Sequence, residues 1–397
     1  MRQRRDYFLK LFFISIQLLQ KLYYYHLTFK IIKAAMDAPD KNSPEIHELC
    51  GAIHLHTTFS DGSVGFPALI AAAKEVGLDF IVVTDHLSLK GKEKGFEGFS
   101  DELFVSIGYE HNDINNLNHY LVLGTENVIR VHDKPQKYID EIRKNNGIGF
   151  IAHPVEKRHY FKDYPAYPWN DWNVQGFDGI ELWNQMSDWL EKLKSWLNFI
   201  RLFYPRRFLV SAEAEILRRW DEFNRAVFIS GIGGVDAHTM KIKYGLFHLT
   251  IFPIKVELQG IRTHLFLTEP LPKGDVVKAK SQFLDALKNG RGFITNFRRG
   301  DAKGTRIFIE YGNGVISLPG FVGAQGTKGA LPAFLHVQLV DNAEIRIIKN
   351  GETVHKTSGR RIEFKIVEKG LYRIEVYKRA NAWIYSNPFP IGTYPLW

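Results

Sequence analysis

Residues 51–86 read GAIHLHTTFSDGSVGFPALIAAAKEVGLDFIVVTDH, and their layout decides the fold. A short run, Gly51-Ala52-Ile53, ends in His54-Leu55-His56, and Pro67 then opens an amphipathic stretch to Val76. Proline is favoured in a first helical turn, where its missing N–H removes no bond. The next apolar run, Phe80-Ile81-Val82-Val83, has the β-branched content of a buried strand and ends in Thr84-Asp85-His86. The segment is a helix feeding a strand, the second half of a βαβ unit, with polar residues at both strand ends.

Working outward, β-rich runs and amphipathic segments alternate in the α/β manner. The pattern predicts strands at Gly51–His56, Asp79–Thr84, Phe104–Glu110, His119–Gly124, Gly147–Ala152, Gly176–Trp183, Ala226–Gly233, Thr263–Thr268 and Gly292–Thr295. It predicts helices at Pro67–Val76, Pro135–Asn145, Ser187–Phe203, Val210–Asn224 and Val276–Asn289. After 298–304 the helical pattern ends. Short runs at Thr305–Tyr311, Ala333–Leu339, Glu344–Lys349, Arg361–Val367 and Tyr372–Tyr377 are separated by turn residues and predict an all-β module. Three segments follow: a basic and hydrophobic leader over 1–47, a barrel over 48–300 and a sandwich-like β domain over 301–397. The Tyr-, Trp- and Pro-rich stretch 154–176 is long enough to be an active-site lid.

The single cysteine, Cys50, rules out a disulfide framework and leaves any metal to nitrogen and oxygen ligands. Fifteen histidines without cysteine partners favour catalysis over structural zinc. Residues 1–33 carry seven basic side chains against Asp6 alone, a net of +6, so only +3 of the chain's +9 is left for the other 364 residues. No basic stripe for duplex nucleic acid is implied in the folded body. The apolar run Leu11–Leu19 is too short to span a bilayer. It predicts a leader or a weak membrane contact through residues 1–33, with a cytoplasmic location favoured over a membrane-associated or exported one.

Most of the residues that metals bind stand just past the apolar runs. A parallel barrel delivers its strand ends to one face, so this layout converges them on one pocket. His54 and His56, two apart on a strand, face the same side. Asp61 follows in a turn, His86 ends the second strand, and Asp85 beside it either orients a liganding ring or caps the next loop. Glu110 ends a strand, where its carboxylate could bridge two metals. His119 opens the next strand, which should turn back beside the previous one; His111 is its rival. His153 precedes Pro154, which stops a strand, and Asp236-Ala237-His238 repeats the two-residue spacing. Six imidazoles and three carboxylates suit two or three divalent ions of the manganese, zinc or iron(II) kind. Such ions lower the pKa of a bound water, so that hydroxide is available near neutral pH, and clamp the oxygens of an in-line displacement.

The order of these motifs, HxHTxxSDG, TDH, a strand-end Glu, a His, AHP, Gly179-Ile180-Glu181 and DxH, resembles the polymerase-and-histidinol-phosphatase (PHP) superfamily across residues 48–296. The resemblance implies a distorted (β/α)7 barrel with up to three metals. It implies that His54, His56, Glu110 and Asp236 hold the first metal, and Glu110, His119 and His153 the second. Asp61, His86 and His238 would hold the third. Asp61, in place of a histidine, looks like the nucleotide and oligonucleotide phosphoesterase branch. The C-terminal run 370–388 resembles the tail module of a branch that includes a carbamate-ester hydrolase.

The expected function is metal-dependent hydrolysis of a phosphoester, whether monoester or diester, in a small molecule or short oligonucleotide. Hydrolysis of a carbamate or carboxylic ester on the same metal site is the alternative, and a non-catalytic binding protein is the second. Lys157 and Arg158 could reach a substrate phosphate, and His238 could protonate a leaving group if its metal site is empty. Trp169, Trp172 and Trp183 could stack a base or cover the pocket. The sequence does not define the oligomeric state.

Overall fold

The computed structural model describes residues 46–158, 165–192, 204–239, 241–244, 247–250, 252–320 and 331–392. The expected leader lies outside the described residues up to position 45, as do positions 193–203 of the expected helix Ser187–Phe203. Seven strands close a ring: β1 (His47–Leu55), β2 (Phe80–Val83), β3 (Leu103–His111), β4 (Tyr120–Leu123), β5 (Ile148–Ile151), β6 (Gly179–Asn184) and β7 (Ser230–Ala237). β1 pairs in parallel with β2 on one side and with β7 on the other, Ile53 facing Gly234. All neighbours around the ring are parallel except at β4, which runs against both β3 and β5. The chain turns back there as the placement of His119 predicts, because positions 112–119 form a tight connection rather than a helical crossover.

Among the helices, α1 (Phe66–Glu75) buries Phe66, Leu69, Ala72 and Ala73, the three-and-four spacing of an amphipathic face, and ends where Gly77 adopts φ +72°. Helix α2 (Pro135–Lys144) follows β4, α3 (Gln185–Glu191) follows β6, and α4 (Ala214–Ala226) precedes β7. Asn224 corrects the expected boundary of strand Ala226–Gly233. Its side chain accepts from Ile229 N (3.0 Å) and donates to Ile229 O (3.1 Å), folding 227–229 into a turn so that β7 starts later. Helix α5 (Val276–Lys288), capped by Asp275 on Lys278 N, places Phe283 against Phe80 and Phe104 and joins the cluster of Ile53, Val82, Leu121 and Ile232.

β8 (Ile261–Leu267) pairs antiparallel with β1, and β9 (Gly292–Asn296) pairs antiparallel with β8. The C-terminal strands are β10 (Arg306–Tyr311), β11 (Ala333–Lys349), β12 (Glu352–Ile366), β13 (Gly370–Lys378), β14 (Asn381–Ser386) and β15 (Phe389–Ile391). The two expected runs at 333–339 and 344–349 are one strand, β11, interrupted only by an irregularity between Gln338 and Ala343. An Asn350-Gly351 turn, both residues at positive φ, joins it to β12. β14 pairs with β9, so the C-terminal sheet continues the one that begins on β1. Phe266 and Phe293 of β8 and β9 lie in the same buried cluster as Ile307, Leu335, Ile347, Ile374 and Trp383. No helix among the described residues is long and apolar enough to cross a membrane.

Candidate metal centre

The nine predicted donors are all brought to one end of the barrel. Glu110, at the end of β3, is their centre and is 1% exposed. Its Oε2 lies 3.1 Å from His54 Nε2, 3.3 Å from His56 Nε2 and 3.5 Å from His86 Nδ1. Its Oε1 faces the other way, 2.7 Å from His119 Nδ1 and 3.0 Å from His153 Nε2. Asp236 Oδ1 lies 3.5 Å from His54 Nε2, 3.4 Å from His56 Nε2 and 3.4 Å from His238 Nδ1. Asp61 Oδ2 lies 3.2 Å from His238 Nε2 and 3.6 Å from His86 Nε2. Donor atoms fall into four overlapping groups able to hold an ion: His56 with Asp61, His86 and His238; His54 with His153 and Asp236; His54 with His56 and Glu110; and His86 with Glu110 and His119.

His54 and His56 face the pocket by a different route from simple strand alternation. His54 sits at φ +66°, and the pairing of β1 shifts register between Ala52 and Leu55 on one side and between Ile53 and Leu55 on the other. A bulge re-aims the side chains there. His153 (φ +27°) and Asp236 (φ +56°) are also left-handed. Non-glycine residues in that region cost about 1–3 kcal/mol each and persist where surrounding contacts over-determine them.

Those contacts come from residues the motifs left without a role. Glu181 Oε1 lies 2.9 Å from His54 Nδ1, while Oε2 accepts from His153 N (2.7 Å) and from Asn184 Nδ2 (2.9 Å). Asn184 Nδ2 also donates to Asp236 Oδ2 at 3.2 Å. A glutamate inside the buried run Gly179–Asn184 was the available signal. His153 Nδ1 lies 3.2 Å from Tyr167 O, and the Tyr167 ring stacks on His119 at 4.8 Å. Glu257, buried beside the rim, accepts from His238 N (3.3 Å) and from the Thr239 hydroxyl (3.0 Å), and burial pushes its carboxyl up to about 7.

Asp85 orients no histidine ring. Its carboxylate accepts from Thr57 N, Thr57 Oγ1 and Ser60 Oγ, each at 2.7 Å, and so anchors the loop that carries Asp61. His119 joins the donor groups and its rival His111 does not: the His111 ring stands edge-on to Tyr138 at 4.7 Å, its nitrogens buried without a hydrogen-bond partner among the described residues. Arg158 pairs with Glu156, and Lys157 is exposed. Of the expected lid, positions 159–164 lie outside the described residues. Trp169 is buried beside Tyr120, Trp172 packs on Phe223, and Trp183 is buried with its Nε1 donating to Asp188 at 3.1 Å.

Burial works against charge on Glu110, yet the imidazoles of His54, His86 and His119 hold its carboxyl well below the usual range. The same contest leaves Asp236 low, chiefly through His54, and Asp61 low, through His238. Burial drives His86 down to about 4. His153, although buried, is raised to about 9 by Glu156 and Glu110, and His238 to about 10 by Asp61 and Asp236. The pocket thus keeps Glu110 and Asp236 anionic where charge is costly to bury, with the more exposed Asp61 beside them, and the buried pair requires a positive partner. An ion there would also satisfy His56, both of whose ring nitrogens are buried in the midst of the donors without a hydrogen-bond partner among the described residues.

No protein-family model matches the sequence, and no curated protein matches it. Among solved structures, the chain is similar to a two-domain protein from Bacteroides vulgatus containing a predicted PHP-like metal-dependent phosphoesterase. The two share 15% identity over 89% of this chain and 100% of that one, with a TM-score of 0.43. It is also similar to a candidate metal-dependent phosphoesterase from Bifidobacterium adolescentis, at 15% identity over 50% of this chain and 91% of that one, with a TM-score of 0.30.

Proposed function

We propose that the barrel is a metal-dependent hydrolase acting on a phosphoester. The observation that carries this reading is the placement of Glu110: one oxygen serves His54, His56 and His86 while the other serves His119 and His153. A carboxylate shared in this way joins two ion sites into one centre. His54, His56, Glu110 and Asp236 would hold one ion, and Glu110, His119 and His153 a second. Asp61, His86 and His238, with His56 alongside, would hold a third at the more exposed rim. Bound divalent ions would supply Lewis acidity and an acidified water.

The chain's own residues do the rest. Glu181 and Tyr167 O fix the ring orientations of His54 and His153, so that each presents Nε2 to Glu110. Asp85 holds the 57–60 loop and with it the reach of Asp61. The test pairs elemental analysis of purified protein with a turnover panel of nitrophenyl phosphates, nucleotides, short oligonucleotides and aryl esters. Glu110→Ala and His153→Ala should each lose bound metal and phosphoester turnover. Metal content and turnover unchanged in both variants would defeat the reading, and turnover of aryl esters alone would move it to carboxyl-type chemistry.

A further inference from the structure

The formal charge left to the folded body is small, yet arginines from distant parts of the chain meet at one edge of the barrel. β9 runs antiparallel to β8, which runs antiparallel to β1. The end of β9 therefore points the same way as the end of β1, where His54 and His56 stand, and the residues that follow it are Phe297, Arg298 and Arg299. The short helical turn Pro205–Phe208 brings Arg206 and Arg207 to them. Three bonds fix the meeting: Arg206 Nη1 to Gln259 O (3.0 Å), Arg299 Nη2 to Leu209 O (3.1 Å) and Asn296 Nδ2 to Leu209 O (2.9 Å). Gln259 lies two residues beyond Glu257, which accepts from His238 N, so the segment that Arg206 holds runs on from the rim of the metal centre.

None of these four arginines has a carboxylate partner among the described residues. Arg299 also donates to Asn381 Oδ1 at 3.2 Å, but its Nε is buried without a partner. Arg207 and Arg298 are exposed. Beside them opens a groove of about 620 Å³ that adds Lys378 and Arg379. Its two carboxylates are already engaged, Asp341 with Lys378 (2.9 Å) and Glu344 with Arg346 and Lys356. Arg379 occupies a tight turn with Ala380, both at positive φ, where glycine or asparagine is the usual occupant. Burial and mutual repulsion hold Arg206, Arg298 and Arg299 below the usual guanidinium range. Planar guanidinium groups gathered without counter-charge suit an oxyanion with several oxygens.

We propose that Arg206, Arg207, Arg298 and Arg299, with Arg379 across the groove, form an anion subsite. It would take a phosphate group that the substrate carries away from its scissile bond. This rests on the phosphoester reading of the centre and narrows it to substrates with a second phosphate.

The test measures tripolyphosphate binding to the full-length chain by calorimetry for wild type, R207A/R298A and E110Q, with thermal melts to show that each is folded. Both arginines are exposed, so their loss should leave the fold intact. R207A/R298A should bind at least roughly tenfold more weakly, while E110Q should bind as wild type does. No binding by wild type, or equal binding by R207A/R298A, would overturn the subsite, as would loss in E110Q alone, which would put the anion at the metal centre. Turnover by wild type of nitrophenyl phosphate and of nucleotides carrying two or more phosphates, followed in parallel, separates the two ideas. Arginine-dependent binding without turnover keeps the subsite and defeats the hydrolase. Turnover with arginine-independent binding does the reverse.

Discussion

His54 Nδ1 lies 2.9 Å from Glu181 Oε1, and both side chains are wholly buried. A carboxylate on that side accepts the Nδ1–H and turns Nε2 toward Glu110 and Asp236, where an ion would find it. The same carboxylate accepts from His153 N, so one residue braces both the ring orientation of His54 and the left-handed backbone of His153. Glu181→Ala should lower metal affinity or turnover by about 10–100-fold, read by competition with a chromophoric chelator. An alanine variant with unchanged affinity would remove Glu181 from the centre's support.

Asp85 accepts three hydrogen bonds from the loop after β1. Asp85→Ala leaves the N–H of Thr57 and its hydroxyl proton without acceptors in a buried place, at a cost of about 1–3 kcal/mol for such groups. The melting temperature should fall. Because Asp61 rides on that loop, bound metal should drop by the equivalent held at the rim while the Glu110 sites keep theirs. Loss of all metal in proportion would show that Asp85 supports the whole barrel rather than one loop.

How far the sequence reached, and where it stopped, follows from what each residue depends on. The donors were legible because most lie at or just beyond the end of an apolar run, and a barrel sends those ends one way; His119 instead opens a strand that turns back to the same face. The reason given for His54 and His56 was incomplete. The bulge that turns them inward depends on pairing with β2 and β7, strands 25 or more residues away in sequence, and no local pattern encodes it. Asp85 shows the opposite limit: adjacency to His86 suggested service to that ring, whereas its partners, Thr57 and Ser60, become neighbours only when β1 and β2 pair. Glu181 was visible as a charge in a buried strand, but its target cannot be read without the fold. The later start of β7 was missed because Asn224 makes its turn-forming bonds through a side chain.

Gly234 shows how tightly the support is packed. A Cβ there would lie 1.6 Å from Glu181 Oε1 and 3.2 Å from His54 Cβ. Gly234→Ala must push Glu181 off His54 Nδ1, so it should copy the loss of metal affinity seen in Glu181→Ala and add a stability cost, since overpacking costs about 1–3 kcal/mol. Wild-type affinity in a folded Gly234→Ala protein would mean that Glu181 has room to move and does not fix the ring.

A second buried pair, away from the metal centre, gives the fold its own pH response. His264 on β8 lies 2.7 Å from Glu48 Oε1 on β1 and 3.4 Å from Cys50 Sγ. Burial opposes its charge, but Cys50 and Glu48 raise it to about 9 from an ordinary 6.5, while burial works against charge on Glu48 too, and the His264 ring nevertheless holds that carboxyl low. A base whose folded pKa is raised contributes stability that is complete below its unfolded value and is lost as pH climbs to the folded one. The contribution of His264 should therefore be full below about 6.5 and gone above about 9, with a size on the order of 3 kcal/mol. Glu48 has the opposite sense, its share being lost on acidification below about 4.5. Glu48→Gln should destabilise most near pH 6, and the gap to wild type in denaturant midpoint should close by pH 9.5. A gap that stayed constant from pH 6 to 9.5 would mean that His264 is neutral in the folded chain and that Glu48 acts through Gly304 N (2.7 Å) and Arg306 (3.0 Å) instead.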